Sequence, residues 1–467
     1  GGILKQAIET IPANKKLKYI KKIAILATFG AFLFGYDTGV INGSLSFMAR
    51  GDELNLSPFM EGLVTSSLLF GAAIGAVIWG RLADRYGRKS ILRVLAIIFF
   101  FSTLGSSIAP NSYVLIIGRL FMGLAVGGVA GIVPVYLGEM APSNIRGSLV
   151  CQDQMMIVLG QLLAYVMNGI LGNAFNVSYI WRFMIALAAI PAIILWIGTY
   201  IIPETPRWLA IEKKSDQALV VLRNTRDDKT ADQDLKHIEQ NIKKESSRGH
   251  ASLHDFHTPW IKRILIIGIT IAVMQQLAGI NIMMYYGTTI LEKTGFSTKA
   301  ALIANIGNGV LSVLGTTIYM FFLANRIKRR LAWIGGFCFT TTILAAIAIL
   351  SHYAAGLSIL PYIVITCTML FVFIDQMTLG PVCWLLLSEI FPLHVRGLGV
   401  GIATFGMWIM DFGVGFFFPI LIEIFGLSNT FWIFAVIGVI CIIISFFIIP
   451  ETSGRSLEQL EDSFRRS

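Results

Sequence analysis

Long apolar runs separated by short polar stretches set the rhythm of this chain. Residues 91–109, 115–135, 183–202, 264–284 and 431–450 each hold about 20 mostly apolar residues, enough to cross hydrocarbon as a helix. Followed from end to end, the pattern predicts twelve spans: 23–48, 60–82, 90–109, 112–141, 149–172, 180–202, 263–291, 298–324, 331–351, 357–391, 397–424 and 429–449. The expected fold class is an all-α membrane protein. The one sizeable polar insert, 203–262, falls between the sixth and seventh spans. It divides the chain into a six-helix half at 1–202 and a second at 263–449, followed by a tail at 450–467. Within the insert, 216–226 and 232–244 alternate acids and bases and read as short surface helices.

Composition agrees. Of 467 residues, 55% are hydrophobic and 14% charged, against about 25% charged in soluble domains. The net charge of +10 does not point to nucleic acid, because the basic residues sit between apolar runs. Alternate connections carry them: Arg81, Arg85, Arg88 and Lys89; Arg146; the insert; Arg326, Lys328, Arg329 and Arg330; Arg396; and both termini. The opposite connections hold little more than Arg50, Arg182, Lys293 and Lys299. The positive-inside rule then puts both termini and the insert in the cytoplasm of a cell (plasma) membrane protein. A basic stretch from Lys15 to Lys22 leads straight into the first span, so no cleaved leader is expected there. The five cysteines (Cys151, Cys338, Cys367, Cys383, Cys441) show no CxxC or His-paired spacing and read as small buried hydrophobes, with no metal site expected.

The two halves echo each other. Tyr136-Leu-Gly-Glu-Met-Ala-Pro-Ser-Asn-Ile-Arg-Gly147 matches Leu386-Leu-Ser-Glu-Ile-Phe-Pro-Leu-His-Val-Arg-Gly397 at an offset of 250. Pro203-Glu-Thr recurs as Pro450-Glu-Thr at 247, and Asp84-Arg-Tyr-Gly-Arg-Lys89 has a degenerate echo in Asn325-Arg-Ile-Lys-Arg-Arg330 at 241. An offset of six spans preserves orientation, so the repeats are parallel, as in carriers that rock two halves around a midplane site.

These motifs resemble the sugar porter family of the major facilitator superfamily, over nearly the whole chain. The matching elements also include Phe34-Gly-Tyr-Asp-Thr38, Gly80-Arg-Leu-Ala-Asp-Arg-Tyr-Gly-Arg-Lys89, Pro203-Glu-Thr-Pro-Arg-Trp208, Gln275-Gln-Leu-Ala-Gly-Ile-Asn281, Gly380-Pro-Val-Cys-Trp384 and Pro450-Glu-Thr-Ser-Gly-Arg455. Short spacers and the 63–76 stretch look most like bacterial proton-coupled hexose, pentose or inositol carriers. The resemblance implies twelve helices in two parallel six-helix repeats, a small sugar or polyol as substrate, a proton as coupling ion and no further cofactor. A monomer set in lipid is the expected working unit.

Asp37 interrupts an apolar helix about 21 Å from its start, and Arg119 lies about 10 Å below the outer end of the fourth span, nearly the same depth. An acid and a base at matched depth are expected to pair, since either alone in hydrocarbon costs several kcal/mol. Protonation of Asp37 from outside would release Arg119 and license turnover. The plain alternative is a structural ion pair. Proton-coupled members of the family carry an acid at this position.

Gln161, Gln275, Gln276, Asn281 and Asn308 are amides deep in apolar helices. They serve either as interhelical hydrogen-bonding groups or, together with aromatic walls, as a site for a polyhydroxylated ligand. Gln275 and Gln276 are about 100° apart on a helix, and Asn281 falls about one and a half turns on. By resemblance these five contact sugar hydroxyls, and Phe34, Tyr285, Gly380, Trp384 and Trp408 line the same space. Met407 and Asp411 stand where relatives commonly have amides; Asp411 is counted with the substrate-binding residues, the alternatives being that it titrates or sits protonated and inert, while Asp375 and Asp153 are further acids without an assigned role.

Asp84, Arg85, Arg88, Glu139, Arg146, Glu204, Arg326, Arg330, Glu389 and Arg396 read as an inner gate of ion pairs joining the two halves, the alternative being surface salt bridges. Asn325 and Lys328 replace the acid and glycine of the first-half motif, which weakens the expected lock. Gly30, Gly35, Gly71, Gly75, Gly123, Gly127 and Gly128 read as close-packing positions between helices. The leading expectation is import of a monosaccharide or polyol with a proton by alternating access. A uniporter of the same fold is the alternative. An enzyme would need a catalytic cluster, and His250, His254 and His257 lie in the polar insert instead.

Overall fold

The computed structural model describes residues 13–142, 144–249, 251–324, 326–452 and 457–467. Ser143, His250, Asn325 and 453–455, named above, lie outside them. Among the described residues, eleven helical stretches are long and apolar enough to cross a membrane. Ten match single predicted spans within a few residues, apart from the first, which starts at Lys15. There the helix runs on past the hydrocarbon edge, through lysines and a leucine that suit a helix as well as apolar residues do. The last stretch, Arg396–Ile448, holds 53 residues, about 80 Å of helix against a ~30 Å core. It is broken at Gly426, whose φ of 83° and ψ of 169° are not helical. It therefore crosses twice, giving the expected twelve.

Two helix pairs of the first half pack backbone to backbone. A Cβ on Gly71 or Gly75 of the second span would lie 2.3 Å from the carbonyl oxygens of Leu120 and Leu124 in the fourth. Reciprocally, a Cβ on Gly123 or Gly127 would lie 2.0 and 2.1 Å from the carbonyls of Leu68 and Ala72. Gly35 sits against Ile157, and Gly160 against Phe32, in the same way between spans one and five. Lipid tails supply no hydrophobic drive for helix association, so close van der Waals contact has to do this work. Gly30 and Gly128 meet side chains instead, Val129 and Leu95.

The 203–262 segment forms helices Pro206–Ile211, Ser215–Thr225 and Asp228–Arg248 and a short 3-10 turn at Leu253–His257. The second and third cover the two surface helices expected. Arg226 anchors the segment: only 8% exposed, it pairs with Asp234 at 2.5 Å and donates to the carbonyl of Met140 at the end of span four. Asp255 reaches the second half through His394 at 3.4 Å. The side carrying this segment and the termini is called the basic face below, and the opposite side the far face. Of the cysteines, Cys383 and Cys441 are buried as expected, but Cys338 is exposed.

Candidate functional site

The seventh span is two helices, Pro259–Leu277 and Ile280–Thr294, separated by Gly279 in the left-handed region at φ 101°. Only glycine adopts that conformation without strain. The break changes the expected geometry of the amides. Gln276 donates to Gln275 at 2.7 Å, and Asn281 donates to Gln276 at 2.6 Å, so three adjacent amides form one chain. Gln275 and Gln276 are neighbours within the first helix, and on an unbroken helix Asn281 would sit on another face from Gln276. Trp408 of the eleventh span is buried and meets Phe34 of the first edge-on at 5.7 Å. One turn on, Asp411 accepts from the Tyr285 hydroxyl at 3.0 Å. Gln161 is buried and makes no side-chain hydrogen bond among the described residues.

Three expected members stand apart. Asn308 is fully buried, donates to Asn305 at 2.9 Å and accepts from Thr368 at 3.1 Å, which is the interhelical role. Trp384 is 43% exposed, on the side of its helix away from buried Val382 and Leu386. Gly380 is half-buried beside Gln376 and Asp375, where the tenth span breaks at Thr378 (φ −128°, ψ −73°). Asp375 is wholly buried there with neither carboxylate oxygen bonded, and Asp153 is half-buried.

Asp37 and Arg119 are each 1% exposed but do not pair. Arg119 donates from Nε to the carbonyl of Val64 at 2.7 Å and from Nη2 to that of Thr65 at 3.3 Å. Its Nη1 and both oxygens of Asp37 are left without partners. Matched depth was legible; the competing carbonyls of span two were not.

The basic-face charges also depart from expectation. Arg88 pairs with Glu139 at 2.9 Å and Asp84 at 3.2 Å. Glu204 accepts from the backbone of Arg88, Lys89 and Thr205. Burial pushes the Glu204 carboxyl above its ordinary range, against the pull of those donors. In the second half Glu389 pairs with Arg329 at 2.7 Å, not with Arg326 or Arg330. Arg330 instead donates to the carbonyls of Ile449 and Phe446, and Arg396 to that of Phe391. Arg85 lies over its neighbour Tyr86, and Arg146 and Arg326 are exposed. The pairs of Arg88 and Arg329 each lie within one half, and among the described residues no ion pair joins the two halves directly. The offset of 241 already maps Arg88 onto Arg329, a signal the motif comparison contained.

Hydrogen bonds between the spans of the two halves lie on the far side. Asn42 donates to the carbonyl of Met284 at 2.8 Å and accepts from the backbone of Thr288 at 2.8 Å. Tyr165 donates to the same Met284 carbonyl at 2.5 Å, and Ser46 bonds Glu292. Gly62 packs directly on the backbone of Phe416. These bonds and this contact hold the two halves together on the far face. Sequence gave no warning of Asn42 or Ser46, since a polar residue near a span end has no distinctive neighbours.

Comparison with known proteins fits this geometry. The family model described as "Sugar (and other) transporter" matches residues 23–464. The putative metabolite transport protein YncC of Bacillus subtilis is 50% identical, covering 97% of this chain and 95% of its own. The major myo-inositol transporter IolT of the same organism is 48% identical, covering 97% and 96%. The xylose transporter XylE of E. coli, in a partially occluded inward-open conformation, superposes with a TM-score of 0.82 at 28% identity, covering 94% of this chain and all of its own. XylE described as a proton:xylose symporter bound to 6-bromo-6-deoxy-D-glucose gives 0.78 at 29% identity, covering 96% and 100%. With its twelve helices in two parallel six-helix repeats, the chain belongs to the sugar porter family of the major facilitator superfamily, a family of transporters and not of enzymes.

Proposed function

We propose that this carrier imports a monosaccharide or polyol (a hexose, a pentose or myo-inositol) together with a proton across the plasma membrane by alternating access. Its basic face, with both termini and the 203–262 segment, lies in the cytoplasm, and the carrier works as a monomer. The bonds that join the halves on the far face support an inward-facing state, and a partially occluded inward-open XylE structure superposes with a TM-score of 0.82. The amide chain Gln275–Gln276–Asn281, with Gln161, Tyr285, Trp408 and Phe34, supplies the polar groups and aromatic walls that a polyhydroxylated ligand needs.

One observation carries the coupling: Asp37, 1% exposed, has neither oxygen bonded while Arg119 has turned to backbone carbonyls. A purely structural pair would stay closed, because separating its members in hydrocarbon costs several kcal/mol. An opened pair is the arrangement that suits a neutral, proton-loaded acid.

The test uses proteoliposomes in a weakly buffered medium with a pH dye outside, and glucose, galactose, xylose and myo-inositol as candidate substrates. One of them is expected to alkalinise the outside. Asp37→Asn is expected to abolish that signal while counterflow exchange of the same substrate persists. Entry of the substrate without proton movement in the wild type makes the carrier a uniporter.

A further inference from the structure

Arg93 of the third span stands where a membrane helix seldom carries a charge. It lies about 8 Å in from the basic-face end of the helix Arg88–Ser107, against the basic-face end of the sixth span. Its Nε donates to the Thr199 hydroxyl at 3.3 Å and its Nη2 to the Thr199 carbonyl at 3.1 Å. The guanidinium also sits over the Tyr200 ring, 3.8 Å from its centroid. Thr199 is fully buried, and its hydroxyl is fixed in turn by donating to the Trp196 carbonyl at 2.6 Å. One edge and one face of the guanidinium are therefore held. The remaining edge, Nη1 with the second hydrogen of Nη2, bonds nothing among the described residues. No carboxylate among them lies within ion-pair distance of Arg93.

The surroundings are both basic and apolar. Lys89 precedes Arg93 by one helical turn, a spacing at which like charges repel. Glu204, the acid beside Lys89, is spent on the backbone N–H groups of Arg88, Lys89 and Thr205. An arginine inside a span is disfavoured unless something neutralises it. Two cations on one face of a helix, with no carboxylate between them, make a setting for an anion. From Arg93 toward mid-membrane runs an apolar channel between spans three and six. Ile97 on one side and Trp196 and Ile193 on the other are each at least 40% exposed. A soluble anion gains nothing from such a channel, whereas an amphiphile uses both parts.

We propose that Arg93 and Lys89 hold the phosphodiester of an anionic phospholipid, with an acyl chain laid along Ile97, Trp196 and Ile193. The free guanidinium edge matches two phosphate oxygens. A zwitterionic headgroup brings its own ammonium, which Lys89 repels, so a net negative headgroup is selected. Anionic lipids are enriched in the cytoplasmic leaflet, the side on which the reading above places the basic face. Both spans belong to the first half, so the site rides with its bundle and persists in both open states. It is independent of proton coupling.

The test is native mass spectrometry of the full chain in mild detergent, offered dioleoylphosphatidylglycerol and dioleoylphosphatidylcholine at equal concentration. Two basic groups are expected to favour the glycerol lipid by about 10- to 30-fold. Arg93→Gln is expected to remove that preference, and Arg93→Lys to keep part of it, having the charge without the fork. Lys89→Gln should lower it about fivefold. Should Arg93→Gln fail to fold, Arg93→Lys and Lys89→Gln are read in its place. Equal retention of the two lipids by the wild type overturns the proposal, as does a preference that the variants leave unchanged. A third arm offers glycerol phosphate and inorganic phosphate as competitors. If either competes as well as the lipid, the channel contributes nothing, the site is one for soluble phosphate, and the lipid assignment falls.

Discussion

The two faces of this carrier are held by different chemistry. On the far face the halves are joined by bonds that cross between them, several of which end on backbone near Met284. On the basic face the strong pairs, Arg88–Glu139 and Arg329–Glu389, tie helices together inside each half. There the 203–262 segment bonds to both halves, through Arg226 to Met140 and Asp255 to His394. The difference suits a rocking mechanism. Bonds within a half survive the motion and keep each bundle rigid, while bonds between halves must break each cycle. Cross-face bonds made largely of neutral hydrogen bonds, worth about 1 kcal/mol each, can be broken one after another at modest cost.

The strongest way to break this contrast is to wedge the far face. A Cβ on Gly62 would lie 2.2 Å from the Phe416 carbonyl oxygen across the interface. Gly62→Val is therefore expected to prevent closure and cut transport by about 100-fold or more, since backbone there cannot yield. Thiol labelling of a cysteine placed in the far-side opening should rise correspondingly; unchanged labelling would show that this contact does not seal the face.

Asn42→Ala comes next. It removes one of two donors to the Met284 carbonyl, Tyr165 being the other, and the side-chain acceptor of the buried Thr288 N–H. The expected cost to the far-closed state is about 2–3 kcal/mol, or about 30- to 150-fold in the balance between the two open states. The same labelling assay reads it. Ser46→Ala, which loses one bond to Glu292, should shift that balance by about 1 kcal/mol.

Glu389→Gln sharpens the comparison from the other side. Its bridge to Arg329 is 17% exposed at both ends and lies within one half. A loss of about 1 kcal/mol or less is expected, seen as a fall in Tm of about 2 °C. The balance between the two open states should not move. A clear shift in labelling with this variant would mean that the bridge also senses the state of the carrier.

How much of this could be read from the chain differs by feature. Span positions were legible because hydrocarbon imposes one length and one polarity on every crossing. The parallel repeat was legible as well, and it even contained the Arg329 assignment that the choice of Arg326 and Arg330 missed. The Gly279 break was visible as a residue but not as a conformation. A single glycine in an apolar run is more often packed than left-handed, as Gly71 and Gly123 are here.

The sequence alone determined the fold class, the twelve crossings, the family resemblance and the set of residues that carry polar chemistry at membrane depth. These follow from local constraints, since each span must satisfy its own backbone in lipid. Tertiary structure decided which of those residues meet. Arg119 chose two carbonyls of span two over Asp37, Asn308 was taken up by Thr368, and Asp411 found Tyr285. Such choices depend on competition among donors and acceptors from different helices, within a few ångströms of one another. No pattern along a single chain records which competitor is nearer.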